Sequence, residues 1–542
     1  MKDYLIILFN DAAEKLDYLK DADLKFEVPN ISSHGDYSTN VAMTLTKKLK
    51  RNPRDIAAEI IDSLEADESI ISKIEIAGPG FINFSFTPGF VAKVVIDVIK
   101  RGTDYGRTDQ YKGKKANVEF VSANPTGPLT VGHGRGAVIG DTIAKMLEWI
   151  GYDVEREYYF NNAGRQMRML GNSVRLRYFE LLGEKIDFPE DHYQGEYIKD
   201  IAQRVYDEYS GKLKDEEPEG KFKEYAERII FEDIKTSLEK IKIVHDIYFN
   251  EKSLYDEGKI DKVLKSFKER DLSFEKEGAV WLKFDEMGRD EPKVIVKSMG
   301  EPTYRLPDIA YHLTKFERNY DLIVDIFGSD HGATYPDVLA GVKALGYDSD
   351  KIRVLIHQFV TILDKGEVVK MSTRKANFIT LDELVDEVGS DVVRYFFIMR
   401  NISSHLNFDI DLAKKQSDEN PVFYLQYAHA RISSILKMTQ EQELNQSLDN
   451  LDLLTSEAEQ NLLKKIHLFS ETILFSAENY EPNRIANYLE ELAAAFHKFY
   501  TDCRIIGSEK SLAEARISLA VTAQIVLKNG LSILGLEAPE RM

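Results

Sequence analysis

Apolar and polar residues alternate along the first two thirds of the chain in a way that predicts strands followed by helices. Short runs rich in β-branched and aromatic residues occur at 118–121, 154–160, 294–296 and 322–327. Longer segments with apolar residues at helical spacing lie between them. Because buried strands that alternate with helices form parallel sheets covered on both faces, these four runs are predicted to lie in one sheet of an α/β domain.

The two ends of the chain show different patterns. A helical segment over residues 1 to about 20 precedes two short strands predicted around the turn at 77–80. From Leu381 onward the pattern is helical, and one helix is predicted to begin at Asn420-Pro421. The sequence therefore predicts three units, which are a small α/β domain at 1–106, a parallel-sheet domain at 107–380 with a helical insertion at about 190–270, and an all-α domain at 381–542.

The composition fits a large globular protein. With 542 residues the chain exceeds what one hydrophobic core supports, and roughly three to four domains are expected. The net charge of −20 argues against non-specific coating of nucleic acid, although local basic patches can still hold an RNA. The single cysteine, Cys503, rules out an intramolecular disulfide and a cysteine-based zinc cluster. The apolar run at 4–9 is too short for a signal peptide, and no later stretch is expected to span a bilayer.

The clearest chemical signal lies between Asn117 and Asp153. A strand pattern leads through a loop that contains two prolines into a helical pattern that begins with TVGHGRG at 130–136. Glycines let the backbone approach a polyphosphate, and the free amides at a helix N-terminus attract anions. The glycine spacing matches neither the dinucleotide fingerprint nor a Walker A loop, since Gly140 is followed by Asp and Thr. The stretch predicts an anion site outside both standard nucleotide motifs.

Two further segments place polar residues where a parallel sheet binds ligands. The run at 322–327 ends in GSDH at 328–331; an Asp–His pair alone is more often a cap or a satisfied histidine. Two β-rich runs around the turn at 364–366 predict a hairpin, which is followed by the basic segment KMSTRK at 370–375. Positive charge there suits a phosphate leaving group. The alternative is an exposed basic turn without a function.

These motifs, in this order, resemble the arginyl-tRNA synthetases of the class I aminoacyl-tRNA synthetases. The class carries H-x-G-H at the start of a helix and K-M-S-K-S after a hairpin, and the corresponding segments here are TVGH at 130–133 and KMSTR at 370–374. Other segments resemble sequence motifs of the arginyl-tRNA synthetases, namely EF at 119–120, ANPTG at 123–127, GDYSTN at 35–40, GPGFIN at 78–83 and GLEAPERM at 535–542. The resemblance therefore covers nearly the whole chain.

The resemblance implies an arginine–tRNA ligase. Such an enzyme activates L-arginine with ATP, accompanied by Mg²⁺, to arginyl-adenylate and passes the arginyl group to the 3'-terminal adenosine of tRNA(Arg). The implied fold has a Rossmann-like catalytic domain, a small N-terminal α/β domain that contacts tRNA, and an α-helical C-terminal domain that binds the anticodon. The implied partners are tRNA(Arg), L-arginine and ATP, with neither DNA nor a membrane. A cytoplasmic monomer is expected.

The resemblance also implies site residues, position by position. The expected catalytic residues are His133, Lys370, Ser372, Thr130 and Arg374. The expected ATP contacts are Pro125, Gly132, His133, Gly134, Gly328, Asp330, Lys370 and Met371. The expected arginine contacts are Glu119, Ser122, Asn124, Tyr304, Asp308 and His331. The expected tRNA contacts are Tyr37, Asn40, Phe81, Asn83, Tyr424, Tyr500 and Met542. No metal ligand is assigned.

The guanidinium of the substrate explains the choice of carboxylates. Arginine is always charged and is recognised best by fork-like hydrogen bonds, which Glu119, Tyr304 and Asp308 can supply. If the segment is helical, Asp308 lies one turn beyond Tyr304. The alternative is that Glu119 and Asp308 simply pair with nearby basic residues.

Two positions depart from the class motifs, and they leave a rival open. Thr130 stands in place of the first histidine, and Thr373 stands in place of the second lysine, with Arg374 one residue beyond. The rival is a non-catalytic tRNA-binding paralogue that kept the fold. A dead enzyme has no reason to keep Glu119, Asp308 and Lys370, which argues against this rival. A nucleotide-dependent dehydrogenase is a weaker rival because the dinucleotide spacing is absent.

Overall fold

The N-terminal region combines a three-stranded antiparallel sheet with short helices. The structure, a computed structural model, describes residues 1–29, 31–329, 332, 334–369 and 379–542. The elements are α1 (Lys2–Ala13), β1 (Tyr37–Thr39), α2 (Val41–Leu49), α3 (Pro53–Ser63), β2 (Ile71–Ala77), β3 (Phe81–Phe86), α4 (Pro88–Ala92) and α5 (Val94–Arg101). The strand order is β1-β3-β2. The predicted hairpin is present, with Ala77 opposite Phe81.

A five-stranded parallel sheet lies at the centre of the molecule, as predicted. Its strands and their intervening helices begin with β4 (Lys115–Glu119), α6 (Val131–Trp149), β5 (Asp153–Phe160), α7 (Gly164–Leu181), α8 (Glu196–Tyr209), α9 (Lys223–Lys240) and β6 (Ile247–Asn250). They continue, after further elements, with β10 (Leu322–Gly328) and β11 (Ile352–His357). The strand order is β11-β10-β4-β5-β6, and every pairing is parallel. Consecutive residues of β10 enter different cores, since Val324 packs on the side of α6 and Ile323 on the opposite side.

Residues 251–344 cover that opposite face. The elements are α10 (Lys252–Asp256), α11 (Lys259–Glu269), β7 (Ser273–Lys276), β8 (Ala279–Leu282), β9 (Lys293–Val296), α12 (Arg305–Glu317) and, after β10, α13 (Tyr335–Ala344). Two predictions need correction here. The run at 294–296 is a strand, but it belongs to a separate antiparallel sheet β7-β8-β9. The segment at about 190–270, predicted as a helical insertion, contains β6 of the central sheet.

A third small sheet follows the central one. Its strands are β12 (Val360–Asp364), β13 (Glu367–Val368) and, after the helices α14 (Leu381–Val388) and α15 (Ser390–Ile398), β14 (Leu406–Asp409). The hairpin β12–β13 turns at Lys365-Gly366, as the sequence predicts. β14 interrupts the stretch that was predicted to be helical throughout, because it pairs in parallel with β12.

The remaining chain is a helical bundle. Its helices are α16 (Ile410–Ala413), α17 (Pro421–Gln440), α18 (Glu457–His467), α19 (Phe469–Asn479), α20 (Pro482–Asp502) and α21 (Lys510–Leu534). As predicted, α17 begins after Asn420, whose side chain accepts a hydrogen bond from Val422 N at 3.0 Å. α21 is long and apolar enough to span a membrane by length and composition, which the sequence analysis did not expect. In the structure, 72% of its most apolar window is buried inside the bundle.

The N-terminal domain is docked on this bundle. Tyr37 is buried, and its hydroxyl donates to Glu471 Oε1 of α19 at 2.7 Å. Lys464 of α18 pairs with the buried carboxylate of Asp36 at 2.5 Å. The imidazole of His467 lies 3.0 Å from Val91 O of α4. These contacts join residues that are between 376 and 434 positions apart.

Candidate active site

A strained turn follows the central strand β4, at the edge of the sheet where parallel strands end. Val121 and Ser122 have φ values of 69° and 44°. A β-branched residue rarely adopts this left-handed conformation, so the turn stores strain that the surrounding structure must hold. The Ser122 hydroxyl donates to Glu119 Oε1 at 2.9 Å and accepts from Tyr159 N at 3.2 Å. The turn thus folds Ser122 back over the last residue of β4.

Glu119 is part of a buried ionic network. Lys315 Nζ lies 2.6 Å from Glu119 Oε2 and 2.6 Å from Asp325 Oδ1, and His312 Nε2 lies 2.9 Å from Asp325 Oδ2. Burial disfavours each charge, but the two carboxylates outweigh it and raise the pKa of Lys315, while Lys315 helps to hold the pKa of Asp325 well below its usual range. A buried carboxylate that stays ionised needs an opposite charge beside it. The alternative considered for Glu119, pairing with a nearby lysine, is therefore what the structure shows.

Asp308 has a different environment. Part of the residue reaches solvent, but its carboxyl group is enclosed, and burial raises the pKa of Asp308 to about 7. His312 opposes this shift, while the carboxylates of Glu251 and Glu119 add to it. Among the described residues, no lysine, arginine or histidine forms an ion pair with the Asp308 side chain. The pairing alternative is therefore not what the structure shows for Asp308.

Glu251 is a second carboxylate of this kind, which the sequence analysis did not single out. It lies directly after β6, and Tyr159 donates its hydroxyl to Glu251 Oε2 at 2.6 Å. Burial raises the pKa of Glu251, and it too lacks an ion-pair partner within the described part of the chain. Glu251 was missed because the sequence pattern did not predict β6 as a strand. An acidic residue at the end of a predicted parallel strand would have been a candidate ligand-binding residue. Asp308 and Glu251 together suit a cationic ligand.

Tyr304 and Asn124 border this region in different ways. Tyr304 immediately precedes α12, and Asp308 N donates to Tyr304 O at 3.2 Å, so the predicted spacing of one helical turn is present. The Tyr304 side chain is 79% exposed and does not cover the carboxylates. Asn124 is committed to the fold, because its side chain accepts from Asn161 N at 3.0 Å and donates to Gln166 at 3.1 Å.

Thr130 and His133 cap α6. Thr130 Oγ1 accepts from His133 N at 3.4 Å, and His133 Nδ1 accepts from Thr130 N at 3.2 Å. When neutral, an imidazole that accepts at Nδ1 carries its proton on Nε2 and can donate it to an anion. Thr130 is also bridged to Thr380, which follows the KMSTR segment. The threonine thus positions the histidine rather than replacing one.

The glycines of α6 serve packing more than ligand access. A Cβ on Gly134 would lie 2.6 Å from Leu381 Cδ1, and one on Gly140 would lie 2.2 Å from Phe120 Cγ. Gly134 is therefore needed for packing against α14, and its contact with the nucleotide stays a prediction. Gly132 is open, with Thr130 Oγ1 as the nearest atom at 3.7 Å. Pro125 is buried beside this helix start.

Several predicted residues lie outside the described residues. They are Asp330, His331, Lys370, Met371, Ser372 and Arg374. Gly328 is described, and it ends β10 opposite His357 of β11. Within the described ranges, no group of three or more His, Cys, Asp or Glu side chains is placed to hold a metal ion.

The predicted tRNA contacts divide by exposure. Asn40 and Phe81 are exposed on the N-terminal domain, whereas Tyr37 and Asn83 are buried. The last two cannot touch an RNA, because Tyr37 is bonded to Glu471 and Asn83 Oδ1 accepts from Ser38 at 2.7 Å. On the bundle, Tyr424, Tyr500 and Met542 are at least partly exposed. A further aromatic residue there is Tyr427, which stacks against His497 with ring centroids 6.2 Å apart.

The fold and the site define a class I aminoacyl-tRNA synthetase. The model of the "tRNA synthetases class I (R), catalytic domain" matches residues 95–399. The fold is shared with the methionyl-tRNA synthetase of Mycobacterium tuberculosis bound by methionyl-adenylate, at 13% identity and a TM-score of 0.54, over 78% of this chain and 92% of that one.

Other comparisons give the particular family. The "Arginyl tRNA synthetase N terminal domain" matches residues 3–86 and the "DALR anticodon binding domain" matches 425–542. The chain is 50% identical to the arginine–tRNA ligase of Desulfotalea psychrophila, over 95% of this chain and 94% of the relative. It is 47% identical to that of Salinibacter ruber over the full length of both. The crystal structure of a putative arginyl-tRNA synthetase from Campylobacter jejuni is 34% identical, with a TM-score of 0.78, over 84% of this chain and all of that one.

The chain belongs to the arginyl-tRNA synthetase family. This membership confirms the predicted fold class and the predicted ligase activity. Among the comparisons, nothing favours the non-catalytic alternative.

Proposed function

We propose that Asp308 and Glu251 grip the guanidinium of arginine while α6 and the KMSTR segment handle ATP. The observation that carries this proposal is a pair of carboxylates at the ligand-binding edge of the sheet that burial holds at a raised pKa and that have no basic partner among the described residues. A cation between them would replace the missing counter-charge. Glu119, already neutralised by Lys315, holds Ser122 in place beside the substrate. Tyr304 is expected to contact the guanidinium, and Asn124 and His331 are expected to contact the polar head of arginine.

The chemistry asks mainly for positioning and charge neutralisation. A carboxylate oxygen of arginine bonds to the ATP α-phosphorus, and the bond to pyrophosphate breaks. His133 donates to the phosphates, while Lys370, Ser372 and Arg374 neutralise the leaving pyrophosphate. Mg²⁺ arrives with ATP and is held by its phosphates. Gly132, Pro125, Gly328, Asp330 and Met371 line the nucleotide.

The second step passes the arginyl group to a hydroxyl of the terminal adenosine of tRNA(Arg). The exposed Asn40 and Phe81 of the N-terminal domain and Tyr424, Tyr500 and Met542 of the bundle contact the tRNA. The N-terminal and catalytic domains meet near residue 106, and the catalytic domain continues through β14 before the bundle begins. The enzyme acts as a cytoplasmic monomer.

An arginine-dependent pyrophosphate exchange assay, with and without tRNA(Arg), tests this function. We expect exchange with the wild type, at least when tRNA is present. Glu251→Gln removes one charge from the guanidinium site, so the arginine KM is expected to rise about tenfold to hundredfold, as for loss of a hydrogen bond to a charged group. Glu257→Gln, on the exposed end of α10, is the matched control and should leave KM unchanged.

The possible failures are distinct. No exchange by the wild type in either condition would contradict the ligase function itself. Exchange by the wild type with an unchanged arginine KM for Glu251→Gln would remove only the role of Glu251. Citrulline, the neutral counterpart of arginine, should support no exchange, because it leaves both carboxylates unpaired.

A further inference from the structure

Arg135 is a fully buried charge with an unusual set of partners. It lies on α6, two residues after His133, and its side chain is 0% exposed. Nη1 donates to Gln358 O at 2.6 Å and Nη2 donates to Asn401 O at 3.3 Å. Nε is buried without a partner among the described residues. Burial alone lowers the pKa of Arg135 to about 10, so the side chain remains charged at neutral pH.

Another buried arginine shows how unusual this is. Arg394 is equally enclosed, but Asp141 Oδ2 lies 2.5 Å from its Nη2, and two carbonyl oxygens accept its remaining donors. Arg135 has the carbonyl oxygens but no described carboxylate. Burying a charge without an opposite charge is expensive, and an apolar side chain of similar volume is often at least as stable. Arg135 is therefore costly to the fold, so its two backbone contacts are candidates for a functional role.

The two carbonyl groups that Arg135 contacts lie where the chain enters the sheet β13-β12-β14, at a place called here the hairpin root. Gln358 connects β11 of the central sheet to β12, and Asn401 precedes β14, which pairs with β12. The two segments are also joined directly, since Gln358 N donates to Ile402 O at 3.2 Å. The guanidinium thus bonds α6 to the point from which the hairpin β12–β13 starts.

The hairpin returns close to this point. Val369 N donates to Ile362 O at 3.0 Å. The returning chain at Val369 therefore lies beside Ile362, which is four residues after Gln358. Lys370 is the next residue in the sequence. On α6, residues two apart project to nearly opposite sides. The same helical turn therefore carries His133 on one side and the contact to the hairpin root on the other.

We infer that Arg135 is a positioning residue for arginine activation, because it fixes the root of the hairpin that precedes Lys370 to the helix that carries His133. This inference rests on the role proposed above for Lys370. Arg135 does not touch a substrate. It acts through backbone groups, and a small displacement of the basic segment is enough to slow a reaction that depends on positioning.

A double-mutant cycle of Arg135→Met and Lys370→Ala tests the inference, with pyrophosphate exchange measured in the presence of tRNA(Arg). Methionine fills similar volume without a buried charge, so the variant is expected to fold, which its thermal unfolding will show. We expect Arg135→Met to lower kcat about tenfold to hundredfold with little change in the arginine KM. In the Lys370→Ala background the same change should have almost no further effect, because the residue that it positions is gone.

The control is Arg394→Met, which removes a buried arginine that does not contact the hairpin. Asp141 keeps Lys145 at 2.8 Å, so this variant should also fold. If Arg394→Met lowers kcat, its fold-change should multiply with that of Lys370→Ala in the variant that carries both substitutions. If the losses of Arg135→Met and Lys370→Ala also multiply, the inference is overturned, and Arg135 has only a structural role. If Lys370→Ala is as active as the wild type, the proposed role of Lys370 fails, and the inference fails with it.

Discussion

At the scale of single residues, the carboxylates of the site differ by their partners. Glu119 and Asp325 share Lys315 and need no ligand, whereas Asp308 and Glu251 have no described basic partner. The sequence identified Glu119 and Asp308 together, because residue type alone cannot tell a paired carboxylate from an unpaired one. The partner of Glu119 lies almost two hundred positions away, and only the folded sheet brings the two together.

Asp308 predicts a pH dependence of arginine binding. Its pKa of about 7 in the free enzyme exceeds the usual value, and a bound guanidinium favours the charged form, so below about pH 7 binding must release a proton. The Kd for arginine should rise about tenfold per pH unit below that pKa and level off above it. The raised pKa of Glu251 acts in the same direction. Calorimetric titration with arginine, in the absence of ATP, measures this dependence.

Asp308→Asn should bind arginine weakly and with a smaller pH dependence. His312 and Glu119 face the same carboxyl group, but both are committed to the network around Asp325 and Lys315. A wild-type Kd that stays constant through neutral pH would contradict the assignment of Asp308.

At the scale of elements, α6 combines three tasks. Its start holds His133, one side holds the hairpin root through Arg135, and its later turns pack directly on β4. The strand, loop and helix order of this stretch was predictable from the alternation of apolar and polar residues. The sequence could not predict which of its glycines serve a ligand and which serve packing, because both kinds give the same sequence pattern.

Gly140 and Gly132 should separate these two uses. Gly140→Ala places a Cβ 2.2 Å from Phe120 Cγ, and such overpacking should destabilise the protein by about 1–3 kcal/mol. Gly132→Ala meets nothing closer than 3.7 Å, so stability should be retained while exchange activity falls. Thermal unfolding and exchange activity per folded molecule measure the two effects. Equal stability of both variants would show that Phe120 moves aside.

At the scale of the whole molecule, the N-terminal domain is fastened to the bundle by polar contacts. Tyr37 and Asn83 were predicted to meet tRNA, and the structure buries both. The family-like sequence motifs around Tyr37 and Asn83 were informative about the fold but not about the exposure of these side chains. Burial of Tyr37 depends on a partner helix that occurs much later in the chain. The same limit explains β9, whose sequence predicts a strand without specifying its neighbour.

Tyr37→Phe should loosen this docking. It removes the hydrogen bond to Glu471, which is expected to lower the free energy of docking by about 1–3 kcal/mol because the acceptor is charged. Hydrogen exchange in α19 should become faster, and tRNA charging should slow while the arginine KM stays constant. Tyr4→Phe is a control, since the Tyr4 hydroxyl accepts from Asp67 within the N-terminal domain. Unchanged exchange in α19 would show that the remaining contacts suffice.

The attachment of Thr130 to Thr380 has a consequence for the nine residues 370–378. Val369 on one side is held by the hairpin, and on the other side Leu381 N donates to Leu129 O at 2.8 Å. One flank of the segment is therefore tied to the hairpin, and the other is tied to the start of α6. The entropy of joining its ends is lost when the protein folds, and substrates do not have to supply it. An insertion or a deletion between Val369 and Thr380 would therefore change the length of chain available between two fixed points.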